Sequence, residues 1–189
     1  MTVPRLTASL LFASTVLAGA QTWKNLAPES FRANGQINGA AGGAASAIDI
    51  RIERYTTDTE HAPIEAALKA GGYDAFLAEL KKAPPIGAVT IGPRSFTVRW
   101  AREQRNGDSR RIVVVTDAPV FFAGAGAVDA KPTAGYGVAV LEFTVDSVGL
   151  GSGTMAPAAR VKPGGPTGVQ VDDYSGKRVT LMTVTRNLS

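Results

Sequence analysis

The chain contains one histidine, His61, and it is the first residue to consider for catalysis. It lies close to Asp58 and Glu60, and a serine supplied from elsewhere in the fold would complete a Ser-His-Asp triad. The sequence has no G-x-S-x-G motif to hold that serine, because the Gly151-Ser152-Gly153 segment lacks the required spacing. The pattern therefore favours a solvent-facing His61 in a helix-capping segment, with a histidine-based hydrolase as the alternative.

Paired carboxylates are the second catalytic candidate. Asp172 and Asp173 are adjacent, and Glu142 lies on another predicted strand, so two acids on facing strands could flank a glycosidic bond. Since the chain has 16 acidic residues, ordinary solvated acids are the simpler interpretation. We expect no metal site, because one histidine and no cysteine leave only carboxylates to complete a zinc site. We expect no cofactor either, because no phosphate-cradling glycine motif is present.

The densest concentration of charge is an arginine-rich hairpin. Between residues 94 and 111 there are six arginines and two acids, a local excess of four positive charges. Planar guanidinium groups suit carboxylate, phosphate or sulfate. We therefore predict that the hairpin binds an anionic small molecule or a polyanion through five residues: Arg99, Arg102, Arg105, Arg110 and Arg111. The alternative is a charged strand end that discourages edge-to-edge aggregation. Nucleic acid is not expected, because no stacking aromatic residues interleave these arginines.

Short strands must position these side chains. Isoleucines at 48, 50 and 52 alternate with charged residues, which predicts a strand with one buried face. The β-branched run at 112–115 predicts a strand covered on both faces. Asn106-Gly107 predicts the turn of the arginine-rich hairpin. Phe96, Val98 and Trp100 alternate with Arg99, which predicts that Arg99 projects from the face opposite these three apolar residues. Glycines in the 149–153 segment indicate a bulge or a close backbone approach.

One helical insert interrupts the strands. Thr57 and Glu60 have the spacing of a capping box, and Gly71-Gly72 predicts a break between two short helices. Residues 60–82 are therefore predicted to form a helical hairpin that covers one side or one end of a sheet. The predicted fold class is α+β, mostly antiparallel β, and a sandwich and an open barrel fit the pattern equally well.

The N-terminus has the pattern of a secretory signal. Arg5 precedes an apolar run of 13 residues, Leu6–Ala18, which is too short to span about 30 Å of bilayer as a helix. Ala18-Gly19-Ala20 is a small-x-small cleavage site, so we expect the mature chain to begin at Gln21, with no membrane span. The predicted localisation is secreted or periplasmic. The predicted organisation is a signal peptide at 1–20, a flexible Gly/Ala-rich lead-in at 21–45 and a single β-rich domain at 46–189.

Composition narrows the chemistry further. With 44% hydrophobic and 19% charged residues, the chain has the composition of a folded domain. It contains no cysteine, which excludes disulfides, a thiol nucleophile and lipid attachment to a cysteine after the cleavage site.

Several segments together look familiar: residues 52–58, the predicted helical hairpin, residues 111–120, the Leu141-Glu142-Phe143 strand and the 149–155 hairpin. This pattern, within residues 50–122 and 136–160, resembles a group of small exported bacterial proteins without an assigned activity. The resemblance implies a bacterial, secreted setting and no catalytic residues.

We therefore predict a secreted, soluble, non-catalytic binding protein that contacts anionic ligands through the arginine-rich hairpin. One alternative is a small cell-envelope hydrolase that uses His61 or a carboxylate pair. The other is a structural subunit of an envelope assembly, marked by an exposed apolar patch near Phe121.

Overall fold

The computed structural model describes residues 26–37, 45–121 and 133–187. The predicted signal peptide, residues 21–25 and 38–44 of the predicted lead-in, and Phe122 lie outside these ranges, whereas residues 29–37 of that lead-in form a strand. The described elements, in chain order, are β1 (Glu29–Ile37), β2 (Ala45–Ile52), α1 (Asp58–Lys82), β3 (Gly87–Ile91), β4 (Arg94–Asn106), β5 (Ser109–Thr116), β6 (Val138–Val145), β7 (Leu150–Pro163), β8 (Val169–Tyr174) and β9 (Val179–Asn187).

The strands form a closed antiparallel barrel. Strands β1 to β6 pair in chain order, β6 pairs with β7, β7 with β9, and β9 returns to pair with β1. The eight-strand ring is thereby complete, and β8 continues from β9 along the same edge of the long strand β7. The predicted α+β sandwich or open barrel is therefore wrong. The physical reason is that pairing β1 with β9 removes the free edges that either arrangement would leave exposed.

Apolar side chains fill the barrel interior. Alternate residues of each strand point inward, and Phe31, Ile50, Ile112 and Phe143 are all essentially inaccessible to solvent. Phe31 and Phe143 meet edge to face across the interior, with ring centroids 5.0 Å apart. The predicted half-buried strand over 47–54 is confirmed, since the three isoleucines of β2 all lie in this core.

A bulge in β4 changes which face its side chains occupy. The register with β5 shifts between Val98 and Trp100, so Val98 packs in the interior and Trp100 packs on the outer wall. The prediction that Phe96, Val98 and Trp100 share one face opposite Arg99 is therefore wrong. An irregularity of one residue breaks the strict alternation on which that prediction depended.

Helix α1 covers the outer wall of the barrel. Its first turn is closed by the predicted capping box, in which Thr57 accepts the N–H of Glu60 and the Glu60 carboxylate accepts the N–H of Thr57. Gly72, with φ 70° and ψ −157°, interrupts the helical backbone. The predicted break at Gly71-Gly72 is therefore confirmed: α1 consists of two helical segments joined across a kink at Gly72.

The helix explains the uninterrupted β-branched run of β5. Ile112 and Val114 face the interior, whereas Val113 and Val115 belong to the outer cluster that α1 covers. That cluster also contains buried residues of the helix, the β4 tryptophan and neighbouring strands, including Ile64, Leu68, Phe76, Leu80, Trp100 and Val138. The prediction of a strand buried on both faces is confirmed.

The arginine-rich hairpin is also present, with its turn moved by one residue. Asn106 pairs with Ser109, so the two turn residues are Gly107 and Asp108. Gly107 has φ 58°, the positive value required at the first turn position of a type II′ turn.

Gly153 shows why this strand needs glycine. A Cβ there would collide with the carbonyl oxygen of Glu142 and lie 2.5 Å from the Cβ of Phe143. We expect Gly153→Ala to lower the free energy of unfolding by about 3 kcal/mol, because the clash forces β6 and β7 apart. Ser152→Ala, at the exposed neighbouring residue, should change it by less than about 0.5 kcal/mol. Denaturant unfolding of both variants measures the difference, and equal stabilities would contradict this explanation.

Candidate functional site

A cavity of about 230 Å³ opens at one end of the barrel, between the β4–β5 turn, the β6–β7 turn and the end of β9. We call it the mouth cavity. Its lining is rich in charge and includes Arg105, Arg110, Arg186, Asp108 and Asp146, together with Leu26, Gly107, Val145, Ser147 and Gly149.

A buried ion-pair network forms the floor of the mouth cavity. Arg110 has the same orientation as Ile112 along β5 and therefore points inward. Its Nη2 lies 2.9 Å from Oε2 of Glu29, and its Nη1 lies 2.9 Å from Oε2 of Glu103. The side chain of Arg110 is 8% exposed and that of Glu29 is 1% exposed, so water screens this pair poorly. Arg110 is thus held rigidly by two acids.

Burial shifts the pKa values of the groups in this network. Burial raises the pKa of Glu103 above its ordinary value, and the nearby Arg110 only partly offsets that effect. Burial and the charge of Glu29 raise the pKa of Tyr55, whose hydroxyl donates a hydrogen bond to Oε1 of Glu29. For Arg110, burial alone would lower the pKa, but the contacts with Glu29 and its neighbours raise it. Tyr55 therefore remains a neutral donor and Arg110 a cation.

Arg186 brings a second guanidinium group to the mouth cavity. Its Nε lies 2.9 Å from Oε2 of Glu29, although the N–H is not aligned for a hydrogen bond. Its Nη1 and Nη2 donate no hydrogen bond to a described residue, so the contact with Glu29 is the ion pair of Arg186 in this part of the chain. Gly149 lets Arg186 approach the β6–β7 turn, because a Cβ at Gly149 would lie 2.7 Å from the Cβ of Arg186. The backbone N–H of Arg186 also donates to Gly149 O at 2.8 Å.

Acidic side chains complete the rim. Asp146 Oδ1 accepts the backbone N–H groups of Val148 and Leu150, at 3.0 and 2.9 Å, which orders the predicted turn over 146–149. Asp108 lies opposite, in the β4–β5 turn. Because the rim carries both signs of charge, its geometry suits one small anionic group better than an extended polyanion.

The structure separates the five predicted arginines. Only Arg105 and Arg110 reach the mouth cavity. Arg99 lies near the C-terminal end of α1, where its Nε is 2.6 Å from Asp117 and its Nη1 donates to the carbonyl of Ala83.

The other two predicted arginines lie on the outer wall. Arg102 joins the N-terminal end of α1 through Asp58 Oδ1 at 2.7 Å and the carbonyl of Thr56. Arg111 pairs with Glu142 at 2.8 Å in a separate polar cavity of about 210 Å³ that Arg178 also lines. Alternation along the strands explains the separation, since neighbouring arginines point to opposite sides of the wall.

His61 is enclosed rather than solvent-facing. Its Nδ1 accepts the indole N–H of Trp100 at 3.2 Å, and its Nε2 lies 3.7 Å from Oε2 of Glu65. Gly168 packs so closely that a Cβ there would be 2.8 Å from Nε2. Burial lowers the pKa of His61, and the positive charge of Arg102 adds to this effect. Within the described ranges no serine hydroxyl hydrogen bonds to His61.

The three acids considered for glycoside hydrolysis each have a partner. Asp172 pairs with Lys162 at 3.0 Å, and Asp173 accepts a hydrogen bond from the Tyr136 hydroxyl at 2.6 Å. Glu142 contacts Arg111. The described part of the chain has no group of three or more acids or histidines placed to hold a metal ion.

Sequence reasoning missed Glu29 and Arg186. A signal for Glu29 existed, because it shares the inward alternation of Phe31 and Ala33 on β1. For Arg186 no local pattern was sufficient. Its position depends on the pairing of β9 with β1, and these two strands lie far apart in the sequence.

Comparison with known proteins gives no match: no family model fits the chain, and no curated protein or solved structure is significantly similar to it. None of the helices in the described ranges has the length and apolar character needed to cross a bilayer.

Removing Arg110 should destabilise the barrel. Arg110→Met leaves Glu29 and Glu103 buried without their main cationic partner, so we expect the free energy of unfolding to fall by about 3–5 kcal/mol. Arg111→Met is the matched control, because the two side chains of its ion pair are 36% and 42% exposed and the pair should contribute less than about 1 kcal/mol. Urea unfolding of both variants provides the measurement. A similar loss of unfolding free energy in both variants would show that burial does not make the Arg110 network more stabilising than an exposed ion pair.

The only histidine gives a clean pH test. Because folding lowers the pKa of His61, its contribution to stability is complete above the unfolded value of about 6.5 and is lost as the pH falls toward the folded value. Between pH 7 and pH 5, wild-type protein should therefore lose more stability than His61→Gln, whose amide can still accept the Trp100 N–H. Denaturation at several pH values measures this, and parallel profiles for the two proteins would refute it.

Proposed function

We propose that this protein is a non-catalytic binding protein that holds a small anionic group in the mouth cavity. The observation that carries the proposal is the position of Arg186, which lines the cavity and whose Nη1 and Nη2 donate no hydrogen bond to a described residue. Guanidinium nitrogens in this state form charge-assisted hydrogen bonds with carboxylate, phosphate or sulfate.

The floor of the cavity supports the same function. Arg110 contributes positive potential, yet its terminal nitrogens already bond Glu29 and Glu103. It therefore orients the site, whereas Arg186 is the residue we assign to ligand contact, and Arg105 lines the same cavity. A fixed floor lowers the ordering cost of binding, because little of the protein has to move.

Size and charge limit the ligand. A cavity of about 230 Å³ accommodates a compact group rather than a large molecule. Asp108 and Asp146 repel additional negative charge and accept hydrogen bonds from donors. The best ligand is therefore small, carries one anionic group and has a nearby donor.

The setting we propose is outside the cytoplasm. The supporting observation is the signal-like pattern of residues 1–20, with Arg5 before the apolar run and a small-x-small site ending at Ala20. In that setting, we infer that the mouth cavity binds exported or envelope-derived anions.

Titration with inorganic phosphate, sulfate and acetate tests the function, with chemical-shift changes or calorimetry as the readout. We expect Arg186→Gln to weaken binding by about tenfold or more, since it removes charge-assisted hydrogen bonds. Arg105→Gln should weaken binding in the same direction. Arg51→Gln is the control, because Arg51 is exposed on β2 and pairs with Glu53. Unchanged affinity in Arg186→Gln, or no binding of any of the three anions, would disprove the proposed site.

A further inference from the structure

Two exposed aliphatic side chains stand beside the mouth cavity. Val148 is 73% exposed and Leu150 is 51% exposed, which makes them the two most exposed large hydrophobic residues in the described ranges. Val148 lies between Ser147 and Gly149, and both of these line the cavity. The anion site and the apolar tip therefore form one surface at one end of the barrel.

The turn that carries these side chains is ordered. Asp146 holds the backbone N–H groups of Val148 and Leu150, and Gly149 N–H donates to the Asp146 carbonyl at 3.1 Å. The β9 strand supports the turn through the bond from Arg186 N–H to Gly149 O. The aliphatic side chains are thus presented on a rigid loop, so inserting them into an apolar phase requires no rearrangement.

The start of the described chain lies at the same end. Leu26 lines the mouth cavity, and the apolar run Leu6–Ala18 lies only seven residues before it, since residues 19–25 separate them. Seven residues reach at most about 25 Å. Until the predicted cleavage after Ala20, a membrane that holds the apolar run therefore lies within about 25 Å of this end of the barrel.

We propose that this end of the barrel docks on a bilayer surface and that the anion it recognises is a phospholipid phosphate. This inference rests on the proposed function, because it assigns the ligand of the same site. Arg186 and Arg105 contact the phosphate, and Val148 and Leu150 enter the interface below it. The acids Asp108 and Asp146 accept hydrogen bonds from a primary ammonium group. The mixed charge of the rim therefore matches a phosphoethanolamine headgroup, which carries both a phosphate and an ammonium.

The absence of cysteine makes a direct test possible, because one introduced cysteine can be labelled alone. The chain is prepared in its predicted mature form, from Gln21, with Val148→Cys carrying a polarity-sensitive fluorophore. The matched control is Tyr174→Cys on β8, another exposed position, whose partner Ala159 is nine residues along β7 from Leu150. Each is mixed with phosphatidylcholine vesicles, with and without phosphatidylethanolamine, and with phosphatidylglycerol vesicles.

We expect a blue shift of the Val148 label that is larger with phosphatidylethanolamine present and is absent from the Tyr174 label. Adding Arg186→Gln should remove the preference for phosphatidylethanolamine. Leu150→Ser should reduce the vesicle-bound fraction about tenfold, because apolar surface that would be buried in the bilayer is lost. A Val148 label that is unchanged on vesicles bound by the chain would overturn the inference. A shift confined to phosphatidylglycerol, or equal at both labels, would overturn it too.

The titration with soluble anions distinguishes failure of the membrane inference from failure of the proposed anion-binding function. If phosphate still binds and responds to Arg186→Gln while the Val148 label does not shift, only the membrane inference is lost. If phosphate binding is also absent, both proposals fail.

Discussion

The pairing of β1 with β9 is the constraint on which the rest of the structure depends. It joins residues 30–37 to residues 179–187 and closes the sheet into a ring. Closure creates a barrel interior, in which alternate side chains of the eight strands form one apolar core. It also brings Glu29 beside Arg186, and without that contact the mouth cavity would lack its floor and its second guanidinium group.

The buried floor of the mouth cavity and its solvent-exposed rim have different energetic roles. Inside the barrel mouth, Arg110 is balanced by Glu29 and Glu103 under strong desolvation, so each charge there depends on its partners. At the rim, Arg186 and the turn acids meet solvent and have capacity left for a ligand. A rigid, charge-balanced floor under an ordered rim is a sound basis for selective binding, because the ligand orders little and pairs with prepared groups.

Helix α1 is attached to the barrel by polar contacts at both ends and apolar contacts between them. Arg102 binds Asp58 near its N-terminus, and Arg99 binds the carbonyl of Ala83 at its C-terminus. His61 bonds Trp100 between them, inside the outer apolar cluster. Three residues that suggested ligand binding or catalysis thus fasten the helix, and the site we propose for ligand contact lies at the far end of the hairpin.

The sequence by itself determined the local structure: the alternating strand at 47–54, the doubly buried run at 112–115, the capping box at Thr57 and the hairpin turn near Gly107. These local elements depend on residues close together in the sequence and on the periodicity of apolar residues, and a single sequence displays both. Only the tertiary structure decided the closed barrel, the face occupied by Trp100 and the grouping of Arg110 with Glu29 and Arg186. Those outcomes depend on strand pairing between distant residues and on one bulge, and a shift of one residue sends a side chain to the other side of the wall.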